Sequence, residues 1–168
     1  MDRALVLALA GAVTLGVAVF GSALAGRDKT PEPSRPDRIE KTEEAWRAQL
    51  SPEAFHVLRE RGTERPFSSP YSADHDPGIY TCAACGLELY HSDHKFDSGT
   101  GWPSFYQAID KDRVDRRRDT TLGMVRTELT CARCGSHLGH VFSDGPRPTG
   151  ERHCINGLSL DKKPLPTP

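Results

Sequence analysis

The spacing of hydrophobic and polar positions is helical up to Gly62 and alternating beyond it. Thr42 and Ser51 are residues that can cap a helix, and acidic side chains follow each of them in what would be the first helical turn. We predict a short helix that follows Thr42 and ends near Leu50. A second helix is predicted to follow Ser51, to bury Phe55 and to stop at Gly62.

The rest of the pattern is that of short strands separated by Gly, Pro, Asp and Ser. Six segments have this pattern: residues 78–82, 87–92, 104–109, 123–131, 137–143 and 152–161. The charge-dense segment 110–119 is predicted to be a solvated turn, because its basic and acidic side chains nearly balance. Two short helices ahead of a run of strands predict an α+β fold made mostly of antiparallel sheet.

The first 25 residues differ from the rest of the chain. An uncharged, mostly apolar run from residue 4 to residue 20 leads to an Ala-Leu-Ala sequence at residues 23–25, which is typical of a secretory signal peptide and its cleavage site. An uncleaved membrane anchor is the alternative, since residues 4–25 are just long enough to span a bilayer. In either case we expect the protein to be exported, to the periplasm or to the medium.

Residues 26–41 are rich in Pro and charge and are predicted to be a linker. The linker leads into one domain at residues 42–163, which a Pro-rich tail at residues 164–168 follows. The 168 residues include 22 basic and 23 acidic side chains, a formal charge of -1, which argues against a nucleic-acid-binding protein. Only 36% of the residues are hydrophobic, so we expect the domain to need stabilisation beyond its core.

Four of the five cysteines form two pairs that predict a metal site. Cys82 and Cys85 lie in a Thr-Cys-x-x-Cys-Gly sequence that recurs at Cys131 and Cys134. The two-residue gap lets both thiolates of a pair bind one tetrahedral ion, and four sulfurs complete the shell of a structural zinc ion. Two disulfides or a redox pair are the alternative, which we disfavour because each motif leads into a glycine and a strand rather than a helix. Iron at the same four sulfurs stays open.

The fifth cysteine, Cys154, is the candidate nucleophile. If residues 152–156 form a strand, Arg152, Cys154 and Asn156 lie on one face of it. A guanidinium beside a thiol favours the thiolate, which is the nucleophilic form, so we expect a lowered pKa at Cys154. The alternative is a buried cysteine that acts only as a small hydrophobic side chain.

These residues resemble those of the methionine sulfoxide reductase B family over roughly residues 50–161. The resemblance is carried by the four paired cysteines and by three further motifs: Phe-Asp-Ser-Gly-Thr-Gly-Trp-Pro-Ser-Phe at 96–105, His-Leu-Gly-His-Val-Phe at 137–142 and Arg-His-Cys-Ile-Asn at 152–156. It implies a fold of two small antiparallel sheets with a structural zinc ion. It also implies reduction of the R epimer of methionine sulfoxide, mainly in proteins, with an external thiol as reductant. We expect a monomer.

The resemblance implies roles for individual side chains. Cys154 matches the nucleophile, which would become a sulfenic acid, and Trp102 and Phe142 match aromatic residues that bind the substrate. The matched polar residues of the pocket are His137, His140, Arg152 and Asn156. One of the histidines is expected to give a proton to the sulfoxide oxygen. The alternative function is a zinc-stabilised binding module on the same fold, without catalysis.

The two matched histidines set a condition on the backbone. His137 and His140 are three residues apart and would lie on opposite faces of a regular strand. Both side chains can reach one site only if the chain bends or bulges at Gly139.

Thr100 is a departure from the family pattern. Many members of the family that this chain resembles carry a second, resolving cysteine at this position, two residues before Trp102. The other four cysteines are assigned to the metal, so none is left to form an internal disulfide with Cys154. We therefore expect the sulfenic acid to be reduced by an external thiol, either a small molecule or a thioredoxin-like protein.

Overall fold

The computed structural model describes residues 36–165, which include the whole of the predicted domain. The predicted signal peptide or anchor, most of the predicted linker and the last three residues of the tail lie outside the described residues. Within that range no helix is both long enough and apolar enough to cross a membrane. The end of the predicted linker contacts the domain, because the Ile39 N–H donates to the Arg133 carbonyl at 2.8 Å.

Both predicted helices are present, and hydroxyl side chains cap them. Helix α1 spans Glu43–Gln49, and the Thr42 hydroxyl accepts a hydrogen bond from a backbone N–H of its first turn at 3.3 Å. Helix α2 spans Pro52–Glu60, and the Ser51 hydroxyl accepts the equivalent bond at 3.1 Å. Arg61, with a left-handed φ of 64°, ends α2, one residue before the predicted stop.

Short strands form the rest of the described fold. Their bounds are β1 Ile79–Cys82, β2 Glu88–His91, β3 Lys95–Phe96, β4 Ser104–Phe105, β5 Val114–Asp119, β6 Arg126–Cys131, β7 His137–Phe142, β8 Arg152–Ile155 and β9 Leu160–Lys163. They form two antiparallel sheets, one with the order β2-β1-β9 and one with the order β3-β4-β8-β7-β6-β5. The predicted α+β class with two antiparallel sheets is therefore confirmed.

The single strand predicted at residues 152–161 is wrong, because this segment forms two strands in different sheets. Strand β8 lies in the larger sheet and β9 in the smaller one, and a 3-10 turn at Gly157–Ser159 separates them. A Cβ atom at Gly157 would lie 1.9 Å from the hydroxyl oxygen of Ser69. Glycine thus permits the close approach at which the chain leaves one sheet for the other.

Two other predicted strands are shorter in the structure than in the prediction. Of the segment 104–109 only β4 is strand, and beyond it the chain crosses to the smaller sheet, where the Ile109 N–H donates to the Leu89 carbonyl at 2.8 Å. The predicted start of the strand at 123–131 falls in a 3-10 turn, Thr121–Gly123, and β6 begins after that turn.

The solvated turn predicted at 110–119 is wrong for its second half. That half is β5, an edge strand of the larger sheet. Arg116 of β5 donates two hydrogen bonds to the Glu151 carboxylate, at 2.7 and 2.6 Å, and the guanidinium lowers the pKa of Glu151 to about 2. A charged segment can form an edge strand here because residues from distant parts of the chain pair with its side chains. The local composition does not reveal these partners.

The hydrophobic core lies between the two sheets and includes side chains of both helices. The rings of Tyr80 and Tyr90, in the smaller sheet, pack against Phe105 of β4, with centroids 5.0 and 4.3 Å away. Trp46 of α1 is buried in the same core. This packing fixes β4, and with it the neighbouring strand β8, which carries Cys154.

Candidate active site and metal centre

The two Cys-x-x-Cys motifs form matching turns at the ends of strands that belong to different sheets. Cys82 ends β1 and Cys131 ends β6. In each turn the glycine after the second cysteine donates its N–H to the carbonyl of the first, at 2.7 Å for Gly86 and 2.8 Å for Gly135. Both glycines have a positive φ, 71° and 67°, a conformation that glycine adopts without strain. The repeated sequence therefore forms a repeated turn.

The four paired cysteines converge on one point and form what we call the four-cysteine group: Cys82, Cys85, Cys131 and Cys134. Their sulfur atoms all lie within 4.8 Å of one another. The Cys82 and Cys134 sulfurs are 3.7 Å apart, and those of Cys85 and Cys131 are 3.6 Å apart. Sulfurs at about 2.3 Å from a tetrahedral ion would lie about 3.8 Å from one another, so the group could bind a metal ion. No disulfide joins the described cysteines.

Cys154 lies in a cavity of about 150 Å³ beside β7 and β8. The residues that line this cavity are Thr63, Trp102, Arg126, Gly139, His140, Phe142, Cys154 and Asn156. In the antiparallel pair of β7 and β8, His140 lies directly opposite Cys154, so the two side chains share one face of the sheet. Cys154 is only partly buried and is separate from the four-cysteine group.

A β-bulge in β7 brings the two histidines together. Leu129 of β6 pairs with Gly139, but the next residue of β6, Thr130, pairs with His137, so β7 has an extra residue at this point. The ring centroids of His137 and His140 are consequently 5.4 Å apart. The backbone condition that the sequence sets for a shared site is met, although only His140 lines the cavity.

Each histidine contacts a carboxylate that the sequence analysis did not identify. His140 Nε2 is 2.8 Å from Asp119 Oδ2 of β5, and His137 Nδ1 is 2.7 Å from Glu128 Oε1 of β6. Arg61 lies beside both carboxylates, at 2.7 Å from Glu128 and 3.7 Å from Asp119. Glu128 is the only acidic residue between Asp119 and Asp144, which is a sequence signal for it. Asp119 has no such signal, because it follows a run of charged residues.

Asp119 orients His140 and fixes the position of its proton. Burial lowers the pKa of His140 below its ordinary value, although Asp119 acts in the opposite direction. Burial opposes ionisation of Asp119, but hydrogen bonds from Thr121, with help from His140 and Arg126, hold the pKa of this carboxyl well below its usual range. The ionised carboxylate accepts the Nε2–H of a neutral His140, which leaves Nδ1 without a proton.

Burial raises the pKa of the Cys154 thiol, so the expectation of a lowered pKa is wrong for the free protein. The charge of Arg152 and a hydrogen bond from Thr100 act against burial without outweighing it. Arg152 donates two hydrogen bonds to the Asp144 carboxylate, at 2.9 Å each, and this negative charge weakens the effect of the guanidinium on the thiol. Cys154 is therefore protonated at neutral pH.

Two aromatic side chains form walls of the cavity. The Phe142 ring packs against Arg152, whose guanidinium carbon is 4.4 Å from the ring centroid. The indole N–H of Trp102 donates to the Glu64 carbonyl at 3.3 Å, which holds the ring in place at the cavity. Both aromatic residues that the sequence assigns to the substrate therefore line the cavity with Cys154.

Asn156 lines the cavity, but both ends of its amide bind other parts of the protein. Oδ1 accepts from the Glu64 N–H at 3.1 Å, and Nδ2 donates to the Leu138 carbonyl at 3.0 Å. The Glu64 carboxylate accepts in turn from the N–H groups of Gly157 and Leu158, at 2.5 and 3.0 Å. The sequence does not identify Glu64, because the partners of its N–H and its carboxylate lie more than 90 residues away along the chain.

The part of the chain that contains the cavity and the four-cysteine group is similar to known proteins. Residues 50–164 match the model of the SelR domain family. The chain is 60% identical over 125 residues to the peptide methionine sulfoxide reductase MsrB of Methanosarcina barkeri, covering 74% of this chain and 88% of that protein. It is 60% identical over 124 residues to the enzyme of the same name from Thiobacillus denitrificans, covering 74% and 94%. With that of Pseudomonas putida it shares 54% identity over 127 residues, covering 76% and 97%.

Proposed function

The chain belongs to the SelR-domain family of peptide methionine sulfoxide reductases, and from this membership we propose that it reduces the R epimer of methionine sulfoxide, mainly in proteins, through a sulfenic acid on Cys154. The family makes it an oxidoreductase that acts on methionine sulfoxide. The observation that carries the assignment of Cys154 is its position. It lies outside the four-cysteine group, in a cavity with Trp102, directly opposite His140.

The walls of the cavity suit a methyl sulfoxide. A sulfoxide is positive at sulfur and negative at oxygen, and its methyl group is apolar. The faces of Trp102 and Phe142 would hold the methyl group, which would direct the sulfoxide sulfur to Cys154.

The chemical step transfers oxygen from the substrate to Cys154. The Cys154 sulfur attacks the sulfoxide sulfur and then takes over its oxygen, so that a Cys154 S–O bond forms as the substrate's S–O bond breaks. The substrate sulfur gains two electrons and leaves as methionine, while Cys154 loses two electrons and becomes a sulfenic acid. Because the thiol starts protonated, its proton must move as the substrate's S–O bond breaks. His140 accepts this proton at Nδ1 and passes it to the oxygen, so that the proton ends on the sulfenic acid.

Three other polar residues act through their neighbours. His137 is almost completely buried and packs on His140. Arg152 supports the ring of Phe142 and opposes the rise in the thiol pKa. Asn156 joins β7 to the segment before the first strand. We propose that each positions the reacting groups without itself touching the sulfoxide.

We propose that the four-cysteine group binds zinc. Four thiolates complete a tetrahedral shell and leave no position for a substrate, so the ion would stabilise the fold and supply no step of the reaction. Metal analysis of the purified protein distinguishes zinc from iron at this site. Iron at one equivalent per chain would contradict this part of the proposal.

We propose that an external thiol regenerates Cys154, with the protein acting as a monomer. A first thiol displaces water from the sulfenic acid to form a mixed disulfide, and a second thiol releases Cys154 as a free thiol and leaves with the first as a disulfide. Thr100 cannot act as a resolving residue because a hydroxyl group forms no disulfide. After one equivalent of substrate we therefore expect a chain that carries one added oxygen. A loss of two hydrogens, the mark of an internal disulfide, would contradict this.

The test of the reductase assignment is the Cys154→Ser variant. We expect complete loss of methionine sulfoxide reduction, because serine cannot accept the oxygen, with the metal content and the thermal unfolding midpoint unchanged. Substrates of the R and S configuration, tested separately, show the epimer. A wild-type protein without activity on either epimer would favour the zinc-stabilised binding module instead.

We propose that the protein is exported, on the basis of the apolar segment at residues 4–20. A signal that is cut after Ala25 would give a mature chain that begins at Gly26. N-terminal sequencing of the protein from a periplasmic or culture-medium fraction tests this. Recovery of the whole protein in the cytoplasm would contradict export.

A further inference from the structure

Phe67 combines two unfavourable features in one residue. Its side chain is 72% exposed to solvent, and its φ is 63°, in the left-handed region that a bulky side chain rarely adopts. Single exposed apolar side chains are common. An exposed aromatic ring on a strained backbone is uncommon, which indicates that the contacts of this ring matter.

Phe67 is attached to the loop that carries Trp102. The Phe67 N–H donates to the Gly101 carbonyl at 2.7 Å. A Cβ atom at Gly101, which has a φ of 89°, would lie 2.8 Å from the Phe67 ring, so the ring lies directly against this glycine. Trp102 follows Gly101 and donates its indole N–H to Glu64, three residues before Phe67. The exposed ring is therefore fixed beside the Trp102 wall of the cavity.

The size of the cavity makes its surroundings important for a protein substrate. At about 150 Å³ it is smaller than the roughly 300 Å³ or more of typical sites for drug-sized ligands. It suits one oxidised side chain, so the backbone and the neighbouring side chains of a polypeptide must lie outside it. Phe67 is the exposed aromatic side chain next to its tryptophan wall, and Phe142, 36% exposed, adds apolar surface within it.

We propose that Phe67 is a specificity-determining residue, whose ring contacts apolar side chains next to methionine sulfoxide in a polypeptide. This inference rests on the proposed function and specifies its substrate class as oxidised methionine with apolar neighbours. The physical reason is that an apolar side chain and an exposed ring both lose contact with water when they meet. Methionine sulfoxide alone has no neighbouring side chains and gains nothing from Phe67.

The test compares Phe67→Asn with Phe67→Tyr on three substrates in single turnover, without the reductant. Asparagine adopts positive φ more readily than most residues, so it removes the ring without adding strain, and tyrosine keeps the ring as a matched control. The substrates are methionine sulfoxide with both termini blocked, a pentapeptide with Leu on either side of it, and the same peptide with Ser. In Phe67→Asn we expect kcat/KM to fall about fivefold to tenfold for the Leu peptide and to change less than about twofold for the blocked amino acid. Phe67→Tyr should match the wild type on all three.

Three results would overturn this inference without touching the proposed function. Equal losses on all three substrates would mean that Phe67 only supports the cavity. A loss seen only in turnover with the thiol would assign Phe67 to the reductant. If Phe67→Asn does not fold, the wild-type protein decides the question, since equal kcat/KM values for the Leu and Ser peptides overturn the inference. A wild-type protein that reduces none of the three substrates overturns the proposed function itself, and the inference with it.

Discussion

In the proposed mechanism one proton passes from Cys154 to His140, and the surroundings of each residue determine where it rests before the substrate binds. Burial raises the pKa of the thiol and lowers that of the imidazole. Both shifts have the same cause, because a charge that is removed from water loses its solvation. The pair therefore rests as a thiol and a neutral imidazole. In the proposed mechanism an ion pair forms only while the substrate is attacked, when the developing charge on the sulfoxide oxygen can take up the proton.

This resting state predicts a broad plateau in the pH dependence of kcat/KM. Activity should fall at low pH, where His140 is protonated and cannot accept the proton, and at high pH, where Cys154 has already lost it. The pKa of His140 lies below its ordinary value of about 6.5 and that of Cys154 above its ordinary value of about 8.5, so the plateau should be wider than this interval. A pH–rate profile in single turnover measures it. A sharp optimum within the interval would contradict the assigned protonation states.

The Asp119→Asn variant tests how His140 is held. An amide can donate to Nε2, which would reverse the tautomer and leave Nδ1 unable to accept the thiol proton, so we expect kcat/KM to fall about a hundredfold. Loss of the carboxylate should also lower the pKa of His140 further and move the acid limb to lower pH. Asp93→Asn is the matched control, because Asp93 pairs with His91 at 3.5 Å in another part of the surface. Unchanged activity in Asp119→Asn would exclude this role.

At the scale of the elements, strand β7 shapes the site through one residue without a side chain. A Cβ atom at Gly139 would lie 2.0 Å from the Cys154 carbonyl oxygen and 3.1 Å from the Cα of Ile155. Both contacts are with the backbone of β8, which cannot rotate away as a side chain could. The same glycine lies at the bulge that brings His137 and His140 together. One position thus controls both the spacing of the two strands and the arrangement of the histidines.

We therefore predict that Gly139→Ala is severely destabilising. The overlap with β8 must separate the strands, at a cost of about 3 kcal/mol or more in the free energy of unfolding, and activity should be lost in any protein that still folds. Gly150→Ala is the control, because its φ of 72° costs about 1 kcal/mol while a Cβ atom there meets nothing within 4 Å. Urea unfolding of both variants measures the difference. Equal destabilisation would show that the contact with β8 is unimportant.

The elements also show which features a sequence can predict. Both helices are predictable because their caps, Thr42 and Ser51, lie next to them in the chain. The four-cysteine group is predictable because each Cys-x-x-Cys turn is local, and its repetition indicates a shared ion. The bulge at Gly139 is predictable only indirectly, because His137 and His140 can share a site only if the chain bends there.

The features that the sequence does not predict depend on distant partners. The charged side chains of strand β5 resemble those of a solvated loop in the sequence. Their partners are distant in the chain: Arg116 binds Glu151, 35 residues away, and Asp119 binds His140, 21 residues away. The raised pKa of Cys154 also depends on burial and on Asp144, neither of which a strand pattern reveals. An alternating pattern identifies residues that share a face of a strand. It does not show how deeply that face is buried or which charged residues from other elements lie beside it.

At the scale of the whole described domain, two of the connections between the sheets bear on the site. One is the 3-10 turn at Gly157–Ser159 between β8 and β9. The other is the four-cysteine group, in which Cys82 extends from the smaller sheet and Cys131 from the larger one. The turn begins three residues after Cys154, so a change in the relative position of the sheets would also move Cys154 and alter the cavity.

Loss of the ion proposed for the four-cysteine group should therefore destabilise the fold, although the proposed reaction uses the ion in no step. For Cys85→Ser, which removes one of four ligands, we expect loss of bound metal and a thermal unfolding midpoint lower by at least about 10 °C, since structural metal sites contribute several kcal/mol. Cys154→Ser is the matched control, because it removes a cysteine of the same domain that lies outside the four-cysteine group. Metal analysis and calorimetry on both variants test this. An unchanged midpoint in a metal-free Cys85→Ser protein would mean that core packing alone holds the two sheets together.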